Sequence, residues 1–154
     1  MRDFRRMVII RSPYSRTLSA FLHRFRRQHF REAFGKFSLD PEGFGDFVKW
    51  LDDGGLSKNG HWDLQTKEIL LPLEHYTDVL RLEALGEALP RFFHDTGLDE
   101  TAMERSGVNE FGRVHDTNAS AKVRRFYNDE SRATVARLYA TDFEALGYDP
   151  DTLD

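Results

Sequence analysis

Fifteen residues near the amino terminus, Met7-Val-Ile-Ile-Arg-Ser-Pro-Tyr-Ser-Arg-Thr-Leu-Ser-Ala-Phe21, do most to restrict the folds open to this chain. Met7 to Ile10 is a short apolar run rich in β-branched side chains, which predicts a buried strand. Pro13 suits the first position of a helix, where its missing N–H costs nothing, and Ser12 is the expected N-cap before it. Leu18, Phe21, Leu22 and Phe25 then recur at i, i+3, i+4, i+7, one helical stripe. A strand therefore feeds directly into a helix, with Arg11 at the junction. Orphan N–H groups and the positive dipole end make such a helix start attractive to phosphate. A guanidinium there adds a bidentate fork, and Ser19, two turns on, adds a hydroxyl. An ordinary strand-to-helix turn with a solvated arginine gives the same pattern, so chemistry alone leaves both readings open.

The rest of the chain is read around this junction. The first helix is expected from residue 13 to about 32, with Gly35 past its end. Asp40 and Pro41 open a second helix, with Phe44, Phe47, Val48 and Leu51 inward, and Asp53-Gly-Gly55 closes it. Residues 54–75 look irregular and hold Gly60-His-Trp-Asp-Leu-Gln-Thr66. Tyr76 to Glu83 reads as a second strand. A helix follows from Leu85 to His94, with Pro90 as a kink or a later start and Gly97 as its end. Residues 98–127 are weakly patterned and read as a long loop with at most one helical turn. A last helix is predicted from about Asp129 to Leu146, capped by Gly147, before a tail, 149–154, that should fray. Two strands make a poor sheet alone, so either helices carry the core or the strands belong to a larger sheet.

Composition narrows the classes. A chain of 154 residues is one domain by default, and 13 phenylalanines supply a real core. The net charge of −4 argues against a general nucleic-acid binder. Charge is uneven, however: Arg24, Arg26, Arg27 and Arg31 crowd the first quarter, while Asp142 to Asp154 is acidic. The basic region suits an anionic ligand, or is simply a solvated helix face. There are no cysteines, hence no disulfide or thiolate metal site. No apolar run approaches membrane-spanning length or the core of a signal peptide, which sets the expectation of a soluble, cytoplasmic protein.

The string Arg11-x-Pro13-Tyr14-x-Arg16-x-x-Ser19 resembles the 3′-phosphate-binding motif of the PAPS-dependent sulfotransferases, in the form used by the carbohydrate-type branch, family 2. The arginine and serine stand eight positions apart, as that motif requires. Four further strings resemble the same family in order: Phe44-x-x-Phe47-Val48-x-x-Leu51; His61-Trp62-x-x-Gln65; Tyr76-x-Asp78-Val79 leading to Glu83-x-Leu85; and Val135-x-x-Leu138-Tyr139-x-x-Asp142-Phe143 with Leu146-Gly147-Tyr148. His115-x-x-Asn118-x-Ser120-x-Lys122 is similar to the loop that closes over the nucleotide in these enzymes.

This resemblance implies an α/β, P-loop-like sulfotransferase fold, here partial, helix-rich and with few parallel strands. It implies PAPS as sulfuryl donor, PAP as product, a carbohydrate hydroxyl as acceptor, and no metal. Arg11 and Ser19 would hold the 3′-phosphate; Asn118, Ser120 and Lys122 would contact the nucleotide; Arg16 would be structural. The family's 5′-phosphosulfate loop belongs upstream of Arg11, where only ten residues stand. The expectation is thus the C-terminal part of such an enzyme, with a non-enzymatic nucleotide-binding remnant or interaction module as the alternative. A histidine is the natural group to take a proton from a hydroxyl near neutrality. His61 is the foremost candidate, beside Trp62, which could stack on a sugar ring, and His115 is a weaker one. Glu83, at a strand end, either orients an arginine or the acceptor, or forms a structural ion pair with Arg81.

Overall fold

A computed structural model describes residues 4–98, 101 and 119–153, apart from the side chain of Ser120. The elements that position the candidate site are the strand β1 (Met7–Ile10) and the helices α1 (Pro13–Arg24), α2 (Gln28–Phe34) and α3 (Pro41–Trp50). These are followed by a one-turn helix α4 (Gln65–Glu68), strand β2 (Asp78–Arg81) and α5 (Leu85–Thr96). The helices α6 (Ala119–Phe126), α7 (Asp129–Leu138) and α8 (Ala140–Leu146) complete it. The molecule is a helix-rich α/β structure. β1 and β2 pair in parallel, Met7 opposite Asp78 and Ile10 opposite Arg81. Among the described residues these two strands make the whole sheet.

Helices therefore carry the core. α1 packs on α6 and α3, and α3 on α6 and α7. Aromatic rings fill the seams: Phe21 lies 5.4 Å from both Phe44 and Phe47, and Tyr14 lies 4.9 Å from Phe143 and 5.2 Å from Tyr127. Such tilted and edge-on pairs add roughly 0.5–1.5 kcal/mol each beyond their buried area. The strands are only half covered. Met7 is 38% exposed, Ile9 41% and Val79 40%, whereas Ile10, at the junction, is 1% exposed.

Several boundaries differ from the sequence reading. The first helix is two, broken over Phe25 to Arg27. Phe30 must also reach the core, but it stands five residues after Phe25. On a continuous helix it would point about 140° away, so the break restores its phase and leaves it 8% exposed. The last helix likewise divides, at Tyr139. Residues 119–126, expected in a loop, are the helix α6; the remainder of that loop lies outside the described residues. β2 is shorter than the predicted 76–83. α5 continues across Pro90, with no later start there, and ends at Gly97, which takes the left-handed conformation (φ 68°) expected of a terminating glycine. Asp40 caps α3 as anticipated, accepting the Gly43 N–H at 2.8 Å. In the tail, the Tyr14 hydroxyl donates to the Pro150 carbonyl at 2.6 Å, Arg132 donates to the Asp151 carbonyl at 2.6 Å, and Thr152 donates to Asp149 at 2.9 Å.

Candidate functional site

Arg11 leaves the end of β1 and meets the start of α1. Gln65, at the first position of α4, clamps its backbone from the side. The Arg11 N–H donates to Gln65 Oε1 at 3.1 Å, and Gln65 Nε2 donates back to the Arg11 carbonyl at 3.0 Å. Gln65 is held in turn by Asp142 of α8, a fully buried carboxylate. Asp142 accepts the Gln65 N–H at 2.6 Å, the Thr66 N–H at 2.9 Å and the Thr66 hydroxyl at 2.7 Å. The guanidinium of Arg11 is oriented by α1 itself, Nε donating to Ser15 Oγ at 2.9 Å.

Ser12 does not cap α1 with its side chain. Glu83, just past β2, supplies the other half of a capping box from 71 positions away, on the N–H of Ser12 rather than on that of a residue inside the helix. Its Oε1 accepts the Ser12 N–H at 2.8 Å and the Ser15 hydroxyl at 3.2 Å, while Oε2 accepts the Tyr148 hydroxyl at 3.0 Å. A carboxylate at a helix N-terminus is favoured by the dipole and by the orphan N–H. Glu83 is therefore linked to Arg11 through Ser15. The alternative pairing with Arg81 is not formed: Arg81 lies over the Tyr148 ring, 4.4 Å from its centroid, and donates to the Gly147 carbonyl at 2.7 Å.

Ser12, Ser15 and Ser19 recur at i, i+3, i+7, so they share one stripe of the junction and α1. Ser19 is half-buried on that stripe, and Lys122 is half-buried on α6, the helix packed beside α1. Asn118 and the side chain of Ser120 lie outside the described residues, as does His115. Arg16 faces another way. Its guanidinium donates to the Asp63 carbonyl and, at 2.9 Å, to the Gly60 carbonyl, which holds the loop that carries His61.

His61 itself is at the far end of α1. Its Nδ1 accepts from Arg24 Nη2 at 3.0 Å. The two ends of a 12-residue helix are about 17 Å apart, so the structure does not bring His61 beside Arg11. Burial, then the neighbouring Arg24, Arg16, His23 and Arg27, hold the imidazole below its ordinary pKa, and it is neutral near pH 7. Trp62 cannot stack on a sugar. It is fully buried, its Nε1 donates to the Gly55 carbonyl at 3.0 Å, and its ring packs 5.1 Å from Phe34 and 5.7 Å from Trp50.

Sequence reasoning named Arg11, Ser19 and Gln65, but not the roles of Ser15 and Tyr148. Ser15 was within reach, since it precedes Ser19 by four positions on the same helical face. Tyr148 stands in the family-like string Leu146-Gly147-Tyr148, but nothing local pairs it with Glu83, 65 positions away. Among the described residues, no three histidine or carboxylate groups converge as a metal site requires. Nor is any described helix long and apolar enough to cross a membrane.

Residues 1–149 match the family model described as Sulfotransferase family. No curated protein and no solved structure gives a match.

Proposed function

Because this chain belongs to the sulfotransferase family, we propose that its strand-to-helix junction binds the 3′-phosphate of PAPS or PAP, within a P-loop-like parent architecture that sulfates a carbohydrate hydroxyl. One observation carries the reading. Arg11 is fixed at both its backbone and its side chain, by Gln65 and Ser15, at the start of a helix whose serine stripe leads to Ser19. A guanidinium held in this way has already given up rotamer freedom, so a phosphate gains the charge-assisted bonds at reduced entropic cost. Ser19 would donate its hydroxyl to the same group, and Lys122, on the neighbouring helix, would add a point charge. PAPS supplies the activated sulfuryl group; what the described residues contribute is donor binding and orientation. One feature favours a second reading, binding without transfer by these residues alone: among the described residues the histidine candidate, His61, stands about a helix length from Arg11.

Calorimetric titration with PAP tests the proposal. Each charge-assisted phosphate contact is worth roughly 1.5–3 kcal/mol, so Arg11→Ala is expected to weaken binding by about tenfold or more. Absence of binding by folded protein, or equal binding by Arg11→Ala, rejects the assignment. A sulfated-product assay on the same protein separates transfer from binding alone.

A further inference from the structure

At the other end of α1 the charges are arranged differently. Arg24 closes the helix, Arg27 precedes α2, Phe30 lies in the first turn of α2, and His61 approaches on its loop. The Arg24 guanidinium donates to the neutral ring of His61 and covers Phe30, 5.4 Å from its centroid, with the His61 ring 6.2 Å from the same phenylalanine. We propose that Arg24, Arg27 and His61 form a second anion site, separate from the Arg11 junction, for one sulfate or carboxylate group, free or carried on a glycan.

Arginine usually meets a carboxylate. Here, among the described residues, the ion pairs lie elsewhere and none includes Arg24, Arg26, Arg27 or Arg31. The groups facing His61 are Arg16 and His23 from α1, Arg24 at its end and Arg27 beyond it, all cationic or able to become so. The described carboxylates on the neighbouring segments form no ion pair with Arg24 or Arg27, and Glu32 on α2 accepts from Gln28 at 2.7 Å. Asp63 is bonded to Lys67 at 2.9 Å and to the Leu64 N–H at 2.7 Å, and Glu68 lies against Gly60. Arg16 is occupied by two backbone carbonyls. Burial and then Arg27 lower the pKa of Arg24, and burial and then the surrounding cations lower that of the neutral His61. An oxyanion settling among them relieves the repulsion between the two arginines, accepts from Arg24 and Arg27, and draws a proton onto His61, which then turns from acceptor to donor. The aromatic floor of Phe30 presents the guanidinium outward. The distance of about 17 Å along α1 makes this site independent of nucleotide binding, so either proposal can fail without the other.

The test follows the imidazole resonance of His61 by NMR, at constant ionic strength in chloride. Inorganic sulfate and a heparin-derived tetrasaccharide are the two probes. Saturable change with an upward shift of the His61 titration is expected, weakened at least tenfold by Arg24→Gln, preserved by Arg24→Lys within about threefold, and unaffected by Arg11→Ala. Tetrasaccharide binding tighter than sulfate by tenfold or more identifies a glycan-borne anion; equal binding identifies the free ion. A response that never saturates, that Arg24→Gln leaves intact in folded protein, or that Arg11→Ala removes equally, overturns the proposal.

Discussion

Gln65 does for the end of β1 what a neighbouring strand would do: one amide satisfies both the N–H and the C=O of Arg11. Gln65→Ala leaves both groups without that partner in a half-buried setting. The expected loss is about 1–3 kcal/mol of stability, read from the urea midpoint, together with weaker PAP binding than wild type. Gln65→Glu, which places a carboxylate against the Arg11 carbonyl, should be no better than alanine. At this scale, legibility followed sequence distance. Arg11, Ser19 and Gln65 each stand in a short string that carries its own signal. The capping role of Glu83, by contrast, depends on Ser12, Ser15 and Tyr148, all at least 65 positions away, and no local pattern announces it. Trp62 misled for the opposite reason. Its neighbours in sequence are polar, and only the packing shows it among Phe25, Phe34, Phe47 and Trp50.

Element by element, hydrophobic phase explains more than propensity. The stripe of α1 ends at Phe25 and resumes out of step at Phe30, and the chain breaks between them to recover it. That five-residue step was present in the sequence; the run of helix-forming residues between obscured it. α3 shows how packing can reverse a propensity argument. On propensity alone, Gly43→Ala inside a helix should stabilise by about 1 kcal/mol. A Cβ at Gly43, however, would sit 2.0 Å from the Ser38 carbonyl oxygen, in the turn where Ser38 and Asp40 build the cap. The expected outcome is therefore destabilisation of about 1–3 kcal/mol, measured by thermal or urea unfolding. Gly45→Ala serves as a control, since nothing lies within 4 Å of its would-be Cβ.

For the molecule as a whole, the core is aromatic and partly phenolic. Tyr14, Tyr127 and Tyr139 are buried, and burial raises the pKa of all three, most strongly for Tyr127 and Tyr139. The unfolded chain releases tyrosyl protons near pH 10 while the folded chain holds them. Above that pH the native state binds more protons than the unfolded state, so stability falls as pH rises. Phenolate absorbance from these three is expected to appear together with loss of helical circular dichroism; early, reversible ionisation of all five tyrosines in folded protein would contradict it. The two-stranded sheet contributes little of this core, which is why counting strands in the sequence said less about the fold than counting phenylalanines. The polar knot around Arg11 has a further consequence. It ties residue 12 to 83, 65 to 142 and 83 to 148. During synthesis, then, the Ser12 N–H waits for its partner until Glu83 has been made, and the knot closes only once Tyr148 has cleared the ribosome.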